Sequence, residues 1–434
     1  MSKVIAGMDW QELYSFASKQ ALLGLCFEGI ERLGKEYPEE LRLNPIGREL
    51  LMTWMGKAQQ IRRQNMKVNA VASKLFSMLR EDGLRCCILK GQGNALMYPN
   101  PYSRTPGDID VWIDASRERI MEYAQKKYEL GDDIRLQHLE TSLDGVPVEL
   151  HFFPCSMNNP IYHARLQKWF KRNADLQCSH IVGLPDGAGD IAIPTTAFNV
   201  VYQLTHLYHH FFDEGIGMRQ IIDYFLVVND FSKNVFLDYD FSNHPVPLSK
   251  EGSTFSPSPS SSGSGDVTAP SRCSEPLRSK DGGPKRSSPD CAGWDRRDAI
   301  GDMTSVTAFT DSSATAARSS STAIDRVQEE LKELGLWKFA GGIMYIMQEV
   351  FGMPASRLIV PPNEKYGKFV LNEVLEAGNF GKHDARNRFG RLKLGHNLQR
   401  VYRDIRLVKF FPAEALCEPL FRTWHFFWRL KYKK

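Results

Sequence analysis

The chain has no apolar run near the roughly 18 residues that cross a bilayer, so no stable membrane insertion is expected. Met1-Ser2-Lys3-Val4-Ile5-Ala6-Gly7-Met8-Asp9 has no apolar core of the kind a signal peptide carries. Its eight cysteines include the adjacent Cys86-Cys87 but no Cys-x-x-Cys pair. That spacing points to neither a disulfide framework nor a zinc knuckle, and a reducing cytoplasm is the expected setting. A formal charge of only +4 over 434 residues gives the molecule no general affinity for polyanions. The His206, His209 and His210 group lacks the Glu of His-Glu-x-x-His, which removes the zinc-peptidase reading.

What is present is enough apolar content, 42%, to bury a substantial core. Residues 1–80 read as helices. Leu50, Leu51, Trp54, Met55, Ala58, Ile61, Val68, Val71, Leu75 and Leu79 recur at helical spacing. A catalytic-type core is expected over 81–195, and helices over 196–230 begin after Thr195 or Thr196 as N-cap. Residues 231–322 are rich in Ser, Pro, Gly and Asp, as in Pro257-Ser258-Pro259-Ser260, and read as a disordered insert. Helical periodicity returns over 323–434. The end, Trp424-His425-Phe426-Phe427-Trp428-Arg429, reads as a helix that packs its aromatics, with membrane-surface contact as the competing reading.

The chemistry concentrates between Leu89 and Phe153. Leu84–Leu89 reads as a short buried strand, and Lys90-Gly91-Gln92-Gly93 as the turn leading into a helix. Glycine there lets backbone amides approach a phosphate, and a helix N-terminus adds favourable partial charge. Arg104 lies in a proline-punctuated loop, placed either for a bidentate phosphate contact or for a surface carboxylate. If 108–113 is a strand, Asp108, Asp110 and Trp112 share one face, while Ile109, Val111 and Ile113 cover the other. Asp144-Gly145 marks a tight hairpin turn. Beyond it Val148, Leu150 and Phe152 are expected inside, with Glu149 and His151 facing out. Such a hairpin brings Glu149 beside the Asp pair. Three carboxylates at one point repel unless a cation holds them, and hard oxygen donors suit Mg²⁺, with Mn²⁺ as the alternative. An Asp-rich surface turn is the plainer explanation for the Asp pair. Arg219 and Asp223 fall at i and i+4, as in an ordinary intrahelical ion pair.

Four pieces stand in order: Leu89-Lys90-Gly91, Gly107-Asp108-Ile109-Asp110, Glu149-Leu150-His151, and Gly215-Ile216-Gly217-Met218-Arg219-Gln220-Ile221-Ile222-Asp223. In this the chain resembles a bacterial family of uncharacterised nucleotidyltransferases of the polymerase-beta-like superfamily, often found among polysaccharide-synthesis genes. The resemblance covers most of 1–230 and extends to the tail from 323 onward, where Glu376–Gly381 is a turn that also fits it. It implies an α+β fold, a small mixed sheet embedded in helical N- and C-terminal parts. It implies Asp108, Asp110 and Glu149 as catalytic and metal-binding residues. Lys90, Gly91, Gln92, Arg104, Gly107, Arg219 and Asp223 would stand around the nucleotide. Gln92 departs from the Ser or Gly usual there, which removes a hydroxyl contact and leaves the Gly91 backbone role. The implied partners are an NTP and an acceptor, a small sugar-type molecule ahead of RNA or protein. A non-catalytic nucleotide-binding or interaction protein is the other class of reading.

Overall fold

The structure, a computed structural model, describes residues 2–128, 135–234, 323–381, 384, 386 and 393–432. The expected insert at 231–322 lies almost wholly outside the described residues. The fold is α+β. Helices α1 (Trp10–Lys19), α2 (Leu23–Glu36) and α3 (Arg48–Glu81) precede the sheet. At 34 residues, α3 spans about 51 Å. It buries Trp54, Ile61, Asn65, Val68, Ala72, Leu75 and Leu79, steps of three, four and seven that keep one stripe facing inward. Gly83, at φ +71°, follows its end and lets the chain turn into the sheet.

The sheet has four strands: β1 (Cys86–Leu89), β2 (Ile109–Ile113), β3 (His138–Leu143) and β4 (Val146–His151), ordered β1-β2-β4-β3. β2 and β4 are parallel, and both outer pairs are antiparallel. The expected hairpin forms. Asp144 and Gly145, at φ +50° and +69°, make the two-residue loop between β3 and β4.

Both faces of the sheet are covered. Ile88, Ile109, Val111, Ile113, Val148 and Leu150 pack toward α3. Cys87, Leu89 and Trp112 join a second core with Trp169 and Phe170 of α6 (Pro160–Ser179) and Phe198 and Tyr202 of α7 (Thr196–Asp213). Between them lie α4 (Gly91–Ala95) and α5 (Arg117–Lys127). Trp112 and Trp169 each stack near Phe198, with centroids 6.2 and 4.5 Å away. Because strand side chains alternate, Leu89, Asp110 and Trp112 all face the helical side.

Thr195 occupies the N-cap position of α7 without a side-chain capping bond, while Thr196 Oγ1 donates to Asp230 Oδ2 at 2.8 Å. Next come α8 (Met218–Asn234), α9 (Trp337–Phe351) and α10 (Glu364–Ala377). The last helix is α11 (Glu418–Tyr432). Its Trp424, Phe426 and Phe427 are more than half exposed, so the expected packing of its aromatics is not what forms. Among the described residues no helix is long and apolar enough to cross a membrane.

Candidate functional site

The β1–α4 turn is bent by its backbone. Lys90 sits at φ +53°, ψ −128°, a region a side-chain-bearing residue enters at roughly 1–3 kcal/mol, and Gly91 follows at φ +34°. A Cβ on Gly91 would meet Asp108 O at an ordinary 3.9 Å, so its φ rather than crowding calls for glycine there. The bend carries Lys90 Nζ to 3.0 Å from Asp110 Oδ1 and 2.7 Å from His206 Nε2.

Asp110 and Glu149 stand directly opposite one another on the parallel strands β2 and β4. Asp108 falls just before β2, exposed. His151 is 1% exposed rather than outward-facing, and Phe152 is half-buried. The cause is polar. His151 Nε2 lies 3.0 Å from Asp110 Oδ1 and 3.1 Å from Glu149 Oε2, and carboxylates only accept, so that nitrogen carries a proton. Gln137 Nε2 donates to Pro154 O at 3.0 Å and stands 3.3 Å from His151 Nδ1. His138 Nδ1 approaches Glu149 Oε2 at 3.3 Å.

The titrations follow from this crowding. Burial alone would lower His151, but its bonds to Asp110 and Glu149 push it up to about 9. Burial alone would raise Asp110, yet Lys90 and His151 hold it well below the usual carboxylate range. Asp108 is pushed up to about 6, chiefly by the negative charge of Asp110. Burial and the neighbouring His151 charge bring His138 down to about 4.

A second polar centre surrounds Asp223 on α8. Arg104 Nε and Nη2 fork onto its two oxygens at 2.9 Å each, Tyr98 Oη donates at 2.7 Å, and Arg219 Nη1 stands 3.6 Å away. The Arg104 fork, one of its two expected destinations being a phosphate, is committed to this buried carboxylate. Two guanidiniums on one carboxylate leave one positive charge in excess. Arg219 Nε has no hydrogen-bond partner among the described residues. Burial and the Arg104 charge lower Arg219 below its ordinary value.

The Gly215-Ile216-Gly217 segment explains how the C-terminal part reaches this centre. A Cβ on Gly217 would stand 2.8 Å from Asn379 Cα, and one on Gly381 2.1 Å from Glu214 O. The backbones touch at 214–217 and 379–381, inside the second stretch expected from the resemblance. Gln220 Oε1 turns back to accept from Gly217 N–H at 2.8 Å.

Gln92 is buried, its amide bonded to Asn69, so its side chain belongs to an internal network. Asn94, Asn199 and Gln203 form a separate buried amide network. Gly107 is exposed, with open space around it. Tyr98, Asn69 and His206 join these groups through contacts between residues far apart in the chain. The partner of His206, Lys90, lies 116 residues away in the chain, so local spacing carries no signal for the pair.

Among the described residues, the ligand atoms of His138, Glu149 and His151 lie within 4.8 Å of one another. Asp110 adjoins that group through the His151 N–H, and Asp108 lies two residues before Asp110 in the chain. One carboxylate oxygen from Glu149 with imidazole nitrogens from His138 and His151 is a donor set that suits a divalent cation.

A small mixed sheet carrying Asp-x-Asp opposite a lone Glu is the frame of a nucleotidyltransferase. The chain belongs to a family described as uncharacterised nucleotidyltransferases, whose sequence pattern matches residues 6–242. No curated protein matches it. Among solved structures it is similar to an antigenic nucleotidyltransferase-like protein from Paracoccidioides brasiliensis. That likeness has 17% identity, covers 37% of this chain and 75% of the other, and has a TM-score of 0.26.

Proposed function

We propose that this chain moves a nucleotidyl group from an NTP to a hydroxyl or phosphate acceptor and releases pyrophosphate. The observation that carries the reading is the register of β2 and β4, which sets Asp110 against Glu149 with Asp108 two residues upstream. Asp108, Asp110 and Glu149 would hold Mg²⁺, or Mn²⁺, which supplies Lewis acidity at the phosphoryl group and lowers the pKa of the acceptor hydroxyl. The remaining work falls to the chain itself. Glu149 takes the acceptor proton. His151 fixes Asp110 and Glu149 relative to each other through its N–H. Lys90 offers its ammonium, and the Gly91 turn its amides, to the phosphates. Arg219 brings the excess charge of the Asp223 centre, and the Arg104–Asp223 pair positions it.

A small sugar-type acceptor in surface-polysaccharide synthesis, handled in the cytoplasm, is the favoured setting; its support is analogy with the family. Incubating the protein with each NTP and a cell-extract acceptor pool, followed by mass analysis, tests reaction and acceptor together. One species is expected to gain a nucleotidyl mass. Asp110→Ala should lower pyrophosphate release by at least about 10³-fold, and equal release from both proteins refutes the assignment. An RNA acceptor would make binding steeply salt-dependent, and a flat response excludes it.

A further inference from the structure

Lysine as an ammonium has three N–H groups and no lone pair, so at the 2.7 Å contact His206 Nε2 is the acceptor. The other partner, Asp110 Oδ1, is shared: it takes Lys90 and His151, each at 3.0 Å. An oxygen that must also serve a cation is a poor permanent anchor for a long, flexible side chain. His206 Nε2 has no cation to serve, although His210 Nε2 contends for the same lone pair. It sits in the middle of α7, is 8% exposed, and its ring is flanked by Tyr202 and His210 with centroids at 6.0 and 4.3 Å. His210 Nε2 stands 3.0 Å from the same nitrogen. An imidazole acceptor also differs chemically from a carboxylate. It fixes the ammonium in place without neutralising it, and the positive charge stays available to a phosphate beside the Gly91 turn.

We propose that His206 is the positioning residue for Lys90, holding its ammonium between the Asp110 carboxylate and the Gly91 turn when Asp110 is engaged elsewhere. This rests on the nucleotidyltransferase reading of Lys90, but the clamp itself is testable without a nucleotide.

The test uses the full chain as wild type, H206Q, H206F, K90M and K90M/H206F. Glutamine places an amide oxygen near the position of Nε2; phenylalanine keeps the ring and removes the acceptor. The first readout is the acylation rate of Lys90 by an amine-reactive reagent, followed by peptide mass spectrometry with no nucleotide present. H206F should label about fivefold faster than wild type and H206Q within about twofold, since only the former loses a bond to a charged group. The second readout is ATP affinity with Mg²⁺. H206F should weaken it about tenfold where Lys90 is present and not at all on the K90M background, the pattern of a residue acting through its partner. Unchanged labelling in H206F overturns the proposal, as does an equal loss of ATP affinity on both backgrounds. If wild type binds no NTP while H206F still labels faster, the clamp stands and the nucleotidyltransferase reading falls. Should H206F lose its cooperative melt, H206N replaces it, because its amide is too short to reach Lys90.

Discussion

Replacing Asp223 by asparagine keeps the shape of the side chain and removes its charge. The loss falls on Arg104, which is 4% exposed and bonded through two nitrogens to the two carboxylate oxygens, and on Arg219, already short of partners. Asparagine can accept through one oxygen only, and its NH₂ would point at a guanidinium. Breaking a buried ion pair by removing one partner costs about 3–5 kcal/mol, because the remaining charge stays desolvated. Unfolding entropy near 2.1 cal/mol/K per residue over roughly 330 described residues converts that into a Tm about 4–7 °C lower. The assay is a thermal melt followed by circular dichroism, with urea unfolding as a second measure. R104M/D223L should recover the part of the loss that belongs to Arg104, since the two charges leave together, while Arg219 and the Tyr98 hydroxyl still lose their carboxylate. A D223N melt within about 1 °C of wild type, or an R104M/D223L loss equal to the sum of the single losses, would refute the claim of a desolvated pair.

Three other outcomes follow from the geometry. Glu414 is 1% exposed, and burial pushes its carboxyl up to about 7 from an ordinary 4.5, against the backbone N–H bonds it accepts from Asn158 and Asn159. The native state therefore holds its proton more tightly than the unfolded chain does, so its stabilisation is complete below pH 4.5 and is lost as pH rises toward 7, about 3 kcal/mol in all. E414Q should flatten that slope in urea titrations at several pH values, and an unchanged slope contradicts the assignment. G381A should destabilise by at least about 2 kcal/mol, through its φ of +64° and the Cβ contact with Glu214 O, whereas G187A, also at positive φ but with open space, should lose about 1 kcal/mol; equal melts would show that the 379–381 contact is loose. F198A removes the ring against which Trp112 and Trp169 stack and should cost about 3–5 kcal/mol in the same melts, with a loss under 1 kcal/mol arguing against that stack as core.

Much of the architecture could be read in the chain because it depends on local rules. The stripe along Arg48–Glu81 follows from a period of 3.6, and the hairpin from Asp144-Gly145, whose backbone takes the left-handed turn conformation. Alternation along β2 placed Asp110 and Trp112 on one face, and the turn delivered Glu149 opposite Asp110. Charge partners were not legible in the same way. Arg104 stood in a loop with two possible destinations, and only the fold put the Asp223 carboxylate 119 positions away within 2.9 Å. His151 looked like an outward strand residue, because alternation says nothing about what covers a face.

What the sequence by itself determined is local: the helical stripe of Arg48–Glu81, the Asp144-Gly145 hairpin and the alternation along β2, since each depends on near neighbours in the chain. What only the tertiary structure decided is which charge answers which: Lys90 to Asp110 and His206, His151 to Asp110 and Glu149, Arg104 to Asp223. Those pairings depend on distances of about 3 Å between residues far apart in the chain, and on a desolvation that exists only once helices have closed over the sheet.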